Sequence, residues 1–112
     1  MSKDVVQGNR RKFPRKSFRK TISFIAQGNA EVVDAVEIGE GGISFKSSHE
    51  LKPEQKMIVN FFLPDGDFFS VKTTLKNVQN TSQNFIYGVS FDEVSIALKR
   101  QIRAYVARTL MN

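Results

Sequence analysis

Apolar and polar residues alternate in six short segments of the chain, and turn-forming residues separate these segments. In the first segment, Ile22 and Phe24 share one side, whereas Arg19, Thr21 and Ser23 share the other. Because successive side chains of a β-strand point to opposite faces, a period of two predicts strands with one face in a core. The pattern therefore predicts a mainly β domain.

Five further strands are predicted along the chain. They are Ala30 to Ile38, the segment around Ile43 and Phe45, Met57 to Leu63, Phe69 to Leu75, and Phe85 to Phe91. Met57 to Leu63 is apolar on both faces, as expected of a central strand. Gln27-Gly28-Asn29 predicts a turn, and Asp65-Gly66 predicts a hairpin because both residues tolerate positive φ. Six strands at short spacing predict a closed or nearly closed antiparallel barrel, since closure removes unpaired edges.

The end of the chain follows a helical pattern instead. Apolar residues recur there at intervals of three and four, at Val94, Leu98, Ile102, Tyr105 and Val106. Basic residues lie largely on the other side, and Asp92 and Glu93 suit a helix N-terminus. An amphipathic helix over residues 93–111 is predicted to pack on the sheet.

Length and composition limit the class of protein. A chain of 112 residues with 40% hydrophobic residues has the length and the apolar content of one domain. It has no Cys, which excludes disulfides, thiolate nucleophiles and cysteine metal sites. No apolar run approaches the roughly 18 residues that span a bilayer, and residues 1–6 lack the apolar core of a signal peptide. These features predict a cytoplasmic protein without membrane insertion.

The positive charge is concentrated at the N-terminus. Residues 1 to 20 hold eight basic residues and one acidic residue, a net charge of +7, whereas the remainder holds nine basic and ten acidic residues. Residues 1–16 also lack apolar periodicity, so a flexible basic arm is predicted before a near-neutral domain of residues 17–112. The arm is the part of the chain that seeks anions.

Two arginines in the arm, Arg11 and Arg15, have the spacing R-x-x-x-R, and Pro14 rules out a regular helix between them. An arginine guanidinium donates two parallel hydrogen bonds to guanine O6 and N7, stacks on a base, or pairs with phosphate. A pair on an extended arm would bracket a purine dinucleotide. Taken alone, the same spacing also fits a solvated basic tail.

A glycine-rich turn follows about two dozen residues later, at Glu37-Ile-Gly-Glu-Gly-Gly42. Gly39, Gly41 and Gly42 would allow positive φ and close approach to a ligand, and exposed N–H groups in such a turn bind phosphate. The Glu37 carboxylate would accept hydrogen bonds from guanine N1 and N2. The competing interpretation is an ordinary tight turn between strands.

The arginine motif and the glycine-rich turn occur in this order and are followed by Tyr87-Gly-Val-Ser-Phe91 and a terminal helix. With this arrangement, the chain resembles a PilZ domain from about residue 9 onward. That resemblance implies a six-stranded barrel with a C-terminal helix that binds cyclic di-GMP. Arg11 and Arg15 match the first family motif, and Arg10 stands where many members carry another arginine. The second motif, Asp or Asn, any residue, Ser, two residues and Gly, is matched in part. Glu37 takes its acidic position, Gly39 replaces its serine, and Gly42 is as expected.

These features predict a cyclic di-GMP effector with no catalytic activity and no cofactor. Arg10, Arg11 and Arg15 would hold the ligand from the arm, and Glu37, Gly39 and Gly42 would hold it from the barrel. Ligand binding would dock the arm and present a new surface to a bacterial protein partner, which the resemblance places in motility or exopolysaccharide secretion.

Two other functions stay open. A degenerate PilZ adaptor would bind only protein, and a basic barrel would bind single-stranded nucleic acid, although the latter needs aromatic residues on an exposed strand face. The isolated His49, the turn residues Asp65 and Asp67, and Ser95 without a general base predict neither a metal site nor a catalytic site. Most Phe residues are assigned to the core.

Overall fold

A computed structural model describes residues 15–64 and 66–111 of the chain. These residues form seven β-strands and one α-helix. The elements are β1 (Arg15–Ser17), β2 (Thr21–Ala26), β3 (Asn29–Gly39), β4 (Gly42–Ser47), β5 (Lys56–Phe62), β6 (Phe68–Asn80), β7 (Phe85–Phe91) and α1 (Ile96–Met111).

Six of the strands close into an antiparallel barrel in the order β3-β2-β5-β6-β7-β4, with β4 pairing back onto β3. The predicted mainly β fold, a six-stranded barrel with a C-terminal helix, is thereby confirmed. The short β1 is added beside β2 on the same edge of β3, where Arg15 pairs with Gly39 and Ser17 with Glu37. Arg15 and Lys16, which the sequence pattern assigned to the arm, therefore form part of the sheet.

Aromatic side chains fill the barrel in two groups. Phe61 contacts Phe18 and Phe91 near the helix, with ring centroids 6.2 Å apart in each pair. At the other end of the barrel, Phe45 contacts Phe24 and Tyr87, with centroids 5.1 and 5.9 Å apart. Most of the described Phe residues are buried or partly buried, as predicted, because each aromatic ring removes a large apolar surface from water.

Strand β5 differs from its prediction. Met57, Val59 and Phe61 point into the core, whereas Ile58 and Phe62 point outward and are 38% and 65% exposed. The strand is central in that it pairs with β2 and β6, but a barrel has one core, so the outer face of every strand meets solvent unless the helix covers it. Apolar residues on both faces therefore did not indicate burial on both faces.

A β-bulge in β3 sets which residues face outward near the end of that strand. The pairing with β4 shifts between Ala35 and Glu37, and the Val36 carbonyl oxygen accepts a hydrogen bond from the Phe18 backbone N–H at 2.8 Å. One extra residue reverses the alternation of side chains beyond it. As a result, Asp34 and Glu37 both lie on the outer face of the barrel.

The helix begins at Ile96, three residues after the predicted start. Ser95 is the N-cap, since its Oγ accepts a hydrogen bond from the Leu98 backbone N–H at 3.0 Å. Asp92 lies outside the helix and instead accepts a hydrogen bond from the Thr74 hydroxyl at 2.8 Å. A serine cap satisfies the free N–H groups of the first turn, so the acidic residues were not needed there.

Helix α1 covers the end of the barrel at which the β3–β4 and β5–β6 turns lie. Leu98, Ile102 and Val106 are buried in the core, and Gln101 donates a hydrogen bond to Asp67 in the β5–β6 turn at 2.9 Å. In the part of the chain that the structure describes, no helix has the length and apolar character needed to cross a membrane.

Candidate functional site

The residues singled out in the sequence meet on the outer face of three neighbouring strands. Arg15 of β1 pairs with Gly39 of β3, which pairs in turn with Gly42 of β4. Glu37 lies two residues before Gly39 and therefore on the same face. We call the surface formed by Arg15, Glu37, Gly39 and Gly42 the motif face.

Arg15 and Glu37 are adjacent on the motif face. The Arg15 Nη1 and Glu37 Oε1 atoms are 3.9 Å apart, and the two side chains are 33% and 39% exposed. An ion pair this open to water is weak, because solvent screens the charges and both side chains retain freedom. The pair therefore sets a guanidinium and a carboxylate side by side on the motif face.

The glycines of the β3–β4 turn do not adopt the predicted backbone conformation. Among the described residues, positive φ occurs at Gln27, Gly28 and Glu54, and thus not at Gly39, Gly41 or Gly42. The predicted use of these glycines for positive φ is wrong. The turn that does use it joins β2 to β3, where Gln27 has φ 53° and Gly28 has φ 81°.

Gly42 is required by packing. A Cβ atom at this position would overlap the carbonyl oxygen of Val89 on β7, which is backbone and has no freedom to move aside. The close approach of β4 to β7 thus explains Gly42 without a ligand. A substitution at Gly42 would test the barrel and not the site.

Ser44 is a candidate site residue that the sequence interpretation missed. It pairs with Glu37 across the β3–β4 hairpin, and its Oγ accepts a hydrogen bond from the Glu37 backbone N–H at 3.2 Å. Ser44 is buried beside Glu37 and places a hydroxyl near the motif face, where Gly39 has none. Its signal in the sequence was the hairpin register, which brings residue 44 opposite residue 37.

Helix α1 contacts two segments that adjoin the motif face, β1 and the β3–β4 turn. Arg103 donates two hydrogen bonds to the carboxylate of Glu40, in the β3–β4 turn, at 2.9 and 3.0 Å. The Tyr105 hydroxyl donates to the Ser17 carbonyl oxygen at 3.0 Å, and Lys16 Nζ lies 3.8 Å from the centroid of the Tyr105 ring. Polar contacts therefore join both β1 and this turn to the helix.

Two groups in these helix contacts, Glu40 and Tyr105, have shifted pKa values. The hydrogen bond from Arg103 lowers the pKa of Glu40 below its ordinary value of 4.5, against an opposing effect of burial. Burial of the ring raises the pKa of Tyr105 above its ordinary value of 10.0. At neutral pH Glu40 is therefore a carboxylate and Tyr105 a hydrogen-bond donor.

A second polar region, also missed in the sequence, continues from the motif face along the same strands. A groove of about 260 Å³ lies there, lined by Arg19, Lys20, Thr21, Asp34, Ala35 and Lys46. We call it the basic groove. The signal for it in the sequence is weak, because its basic residues come from β4 and from the segment between β1 and β2.

The remaining points of the sequence analysis concern Arg10, Arg11 and metal binding. Arg10 and Arg11 lie outside the described residues, so their part in a site stays a prediction. Across residues 15–64 and 66–111, no three His, Asp or Glu side chains gather where they would hold a metal ion.

Solved structures of several bacterial proteins share this fold. MotI/DgrA, the inhibitor of motility of Bacillus subtilis, is 14% identical with a TM-score of 0.76, over 92% of this chain and 52% of that one. YcgR from Escherichia coli, in complex with c-di-GMP, is 17% identical with a TM-score of 0.71, over 91% of this chain and 46% of that one. The chain thus spans about half the length of these two proteins.

A structure of the PilZ domain of YcgR alone, with c-di-GMP, is 13% identical with a TM-score of 0.71 and is covered over 92% of its length. At such identities the likeness shows a shared fold. No curated protein sequence matches the chain. The sequence model of the PilZ domain, however, matches residues 9–108. Because this match takes in nearly all of the chain, the protein belongs to the PilZ domain family.

Proposed function

We propose that the chain is a receptor for cyclic di-GMP without catalytic activity. The observation that carries the proposal is that Arg15, from the first family motif, lies 3.9 Å from Glu37, from the second. Structures with the same fold, those of YcgR and of MrkH from K. pneumonia, hold c-di-GMP. The motif face is therefore the surface on which a nucleotide is expected.

The chemistry of these residues suits guanine. The Arg15 guanidinium would donate to the O6 and N7 acceptors of the base, and the Glu37 carboxylate would accept from its N1 and N2 donors. Gly39 and Gly42 carry no side chains, so a flat base would approach the strand backbone closely between them. Arg10 and Arg11 would hold phosphate or the second base from the preceding residues.

The proposed response to the ligand is docking of the arm. Arg15 is already in the sheet through β1, so the change would involve residues 9–14 folding over the motif face. Ordering these residues costs conformational entropy, and the nucleotide would offset it by bridging arm and barrel. The docked arm would present a new surface to a protein partner in the bacterial cytoplasm. A motility or exopolysaccharide partner is suggested by MotI, an inhibitor of motility, and by CeSA from a cellulose-synthesizing bacterium.

One observation favours a second function, that of an adaptor that binds protein and no nucleotide. Gly39 stands where the second family motif has serine, so the motif face lacks the hydroxyl that this serine would contribute. Removing one hydrogen bond costs about 0.5–1.5 kcal/mol, which weakens binding and does not by itself abolish it. The receptor is therefore the preferred proposal.

The third function, binding of single-stranded nucleic acid, is weakened by where the exposed aromatic residues lie. Phe62 and Phe68 form an outward pair with ring centroids 4.8 Å apart. They lie on β5 and β6, across the barrel from β3 and β4, and therefore away from the motif face. A site for single-stranded nucleic acid needs aromatic side chains that stack on the bases and cations that follow the backbone, and both must lie on the same surface.

Calorimetric titration with cyclic di-GMP and with cyclic di-AMP tests the proposal. We expect binding of cyclic di-GMP and at least tenfold weaker binding of cyclic di-AMP, because adenine presents a donor at position 6 where Arg15 also donates. Arg15→Ala is expected to remove measurable binding, since a charged and bidentate contact is lost.

Arg100→Ala, an exposed arginine on α1, is the matched control and should bind like the wild type. Equal affinity for the two dinucleotides would contradict readout of guanine and would indicate a simple anion site. If Arg15→Ala binds as tightly as the wild type, the assignment of Arg15 to the ligand is wrong. No binding by the wild type at millimolar ligand would favour the adaptor.

A further inference from the structure

The basic groove is a concentration of positive charge next to the motif face. Among the described residues that line it, Arg19, Lys20 and Lys46 are cationic, and Asp34 is the one carboxylate. None of the described residues that line it is aromatic, so they offer no ring on which a base would stack. Its chemistry is that of an anion site.

These cations have few partners within the protein. Among the described residues, the side chains of Lys20 and Lys46 form no ion pair or hydrogen bond, although Lys46 lies directly opposite Asp34 in the β3–β4 ladder. Arg19 makes one weak contact, from its Nε to Ser17 Oγ at 3.4 Å. Like charges that converge without neutralisation repel one another, and a bound anion would relieve that repulsion.

The register of the sheet joins the groove to the motif face. Lys46 lies two residues beyond Ser44 on β4, and Ser44 is paired with Glu37. Two residues along a strand span about 7 Å and return to the same face. The bulge at Val36 keeps Asp34 on that face as well, so the two regions form one continuous surface.

We propose that the basic groove holds a phosphodiester of the bound nucleotide through Lys46, Lys20 and Arg19, while the motif face holds the guanine. This inference rests on the proposed function and adds to it three residues that belong to neither family motif. Lysine ammonium groups suit a phosphate as compact charges that need no fixed geometry, whereas a guanine edge requires the planar donors of an arginine. Asp34 would be the only repulsive group, and it leaves the groove two charges positive.

Titration of cyclic di-GMP into the wild type and Lys46→Gln, each at low and high ionic strength, tests the inference. Lys72→Gln is the matched control, because Lys72 is an exposed lysine on the outer face of β6. We expect Lys46→Gln to weaken binding by about tenfold at low salt, as loss of a charge-assisted contact does, and to reduce its dependence on salt. Lys72→Gln should change neither.

A second measurement does not depend on affinity. In amide NMR spectra of the wild type, cyclic di-GMP should shift the resonances of Thr21, Asp34 and Lys46 together with those of Glu37 and Gly39. Unchanged melting temperatures of Lys46→Gln and Lys72→Gln would show that both variants are folded. They are expected because both lysines extend from the outer surface.

The two proposals fail in different ways. If the wild type binds cyclic di-GMP, Lys46→Gln binds equally well and the groove amides do not shift, the basic groove has no part in the site and the proposed receptor function stands. If the wild type binds no cyclic di-GMP, both proposals are wrong. If Lys72→Gln weakens binding as much as Lys46→Gln, the effect is one of overall charge and the groove is again excluded.

Discussion

At the scale of single residues, the two ends of the glycine-rich turn differ in why they are glycine. Gly42 lies against the Val89 carbonyl oxygen, and the barrel itself excludes a side chain there. Gly39 lies opposite Gly42 in the ladder, so a side chain at residue 39 would extend over a residue that has none. Residue 39 is buried and pairs on its other side with Arg15 of β1, and the second family motif has serine at this position.

We therefore predict that Gly39→Ser tightens cyclic di-GMP binding by a few-fold, equivalent to about 0.5–1.5 kcal/mol, because it adds a hydroxyl to the motif face. Gly41→Ser, in the exposed part of the same turn, is the control and should leave the affinity unchanged. Calorimetry measures both. If Gly39→Ser weakens binding while the protein melts at the same temperature, a serine at this position does not face the nucleotide.

At the scale of secondary-structure elements, α1 is held to the β3–β4 turn by one charged pair. The Glu40 side chain is 11% exposed and accepts both hydrogen bonds from Arg103, whose side chain is 66% exposed. Because folding lowers the pKa of Glu40, this contact stabilises the fold fully above the ordinary value of 4.5. The stabilisation is lost as the pH falls through the lowered pKa of the folded state.

We predict that Glu40→Gln lowers the free energy of unfolding at neutral pH and that the difference from the wild type shrinks in acid below pH 4.5. Urea unfolding at both pH values measures this. Glu93→Gln, an exposed residue before α1, serves as the control and should follow the wild type at both. A difference that stays the same in acid would mean that the charge of Glu40 does not hold the helix.

The elements show what could be predicted from the sequence and what could not. The alternation of apolar and polar residues identified the strands of the barrel, because one face of each strand enters the core. In β2 this face carries Ile22 and Phe24. It missed β1, whose residues Arg15–Ser17 are all polar, since that strand is defined by pairing with β3 and buries little. The spacing of the motifs predicted Arg15 and Glu37 as site residues, and the structure places the two side by side. No local pattern predicts the basic groove, which depends on the bulge and on the β3–β4 register.

At the scale of the whole molecule, positive charge is concentrated at the end of the chain that leads into the proposed site. Residues 1–20 carry a net charge of +7. The last residues of this segment contribute Arg15 to the motif face and Arg19 and Lys20 to the basic groove. Charge that repels itself favours a loose arm, and an anion shared between the arm and the barrel favours a compact one. The ligand would thus act on the arrangement of the whole chain.

We predict that amide hydrogen exchange in residues 9–13 is fast without ligand and slowed by saturating cyclic di-GMP, as expected for docking of the arm. Exchange at Ser23 to Ile25, in the β2–β5 ladder, should be slow in both states and provides the internal reference. Mass spectrometry of peptic fragments measures both regions. If the nucleotide binds and residues 9–13 exchange as fast as before, the arm does not dock.

Phe18 fixes the register of β1 in the sheet. Its ring is fully buried, its centroid lies 5.8 Å from that of Tyr105, and its backbone N–H is bound to Val36, so the chain cannot slide at this residue. The position of Arg15 in the sheet therefore depends on the number of residues between Arg15 and Phe18. One residue inserted after Ser17 would turn Arg15 toward the helix side of β1, because each step along a strand reverses the face. Two inserted residues would restore its face but carry the guanidinium about 7 Å farther along the strand, out of register with Glu37.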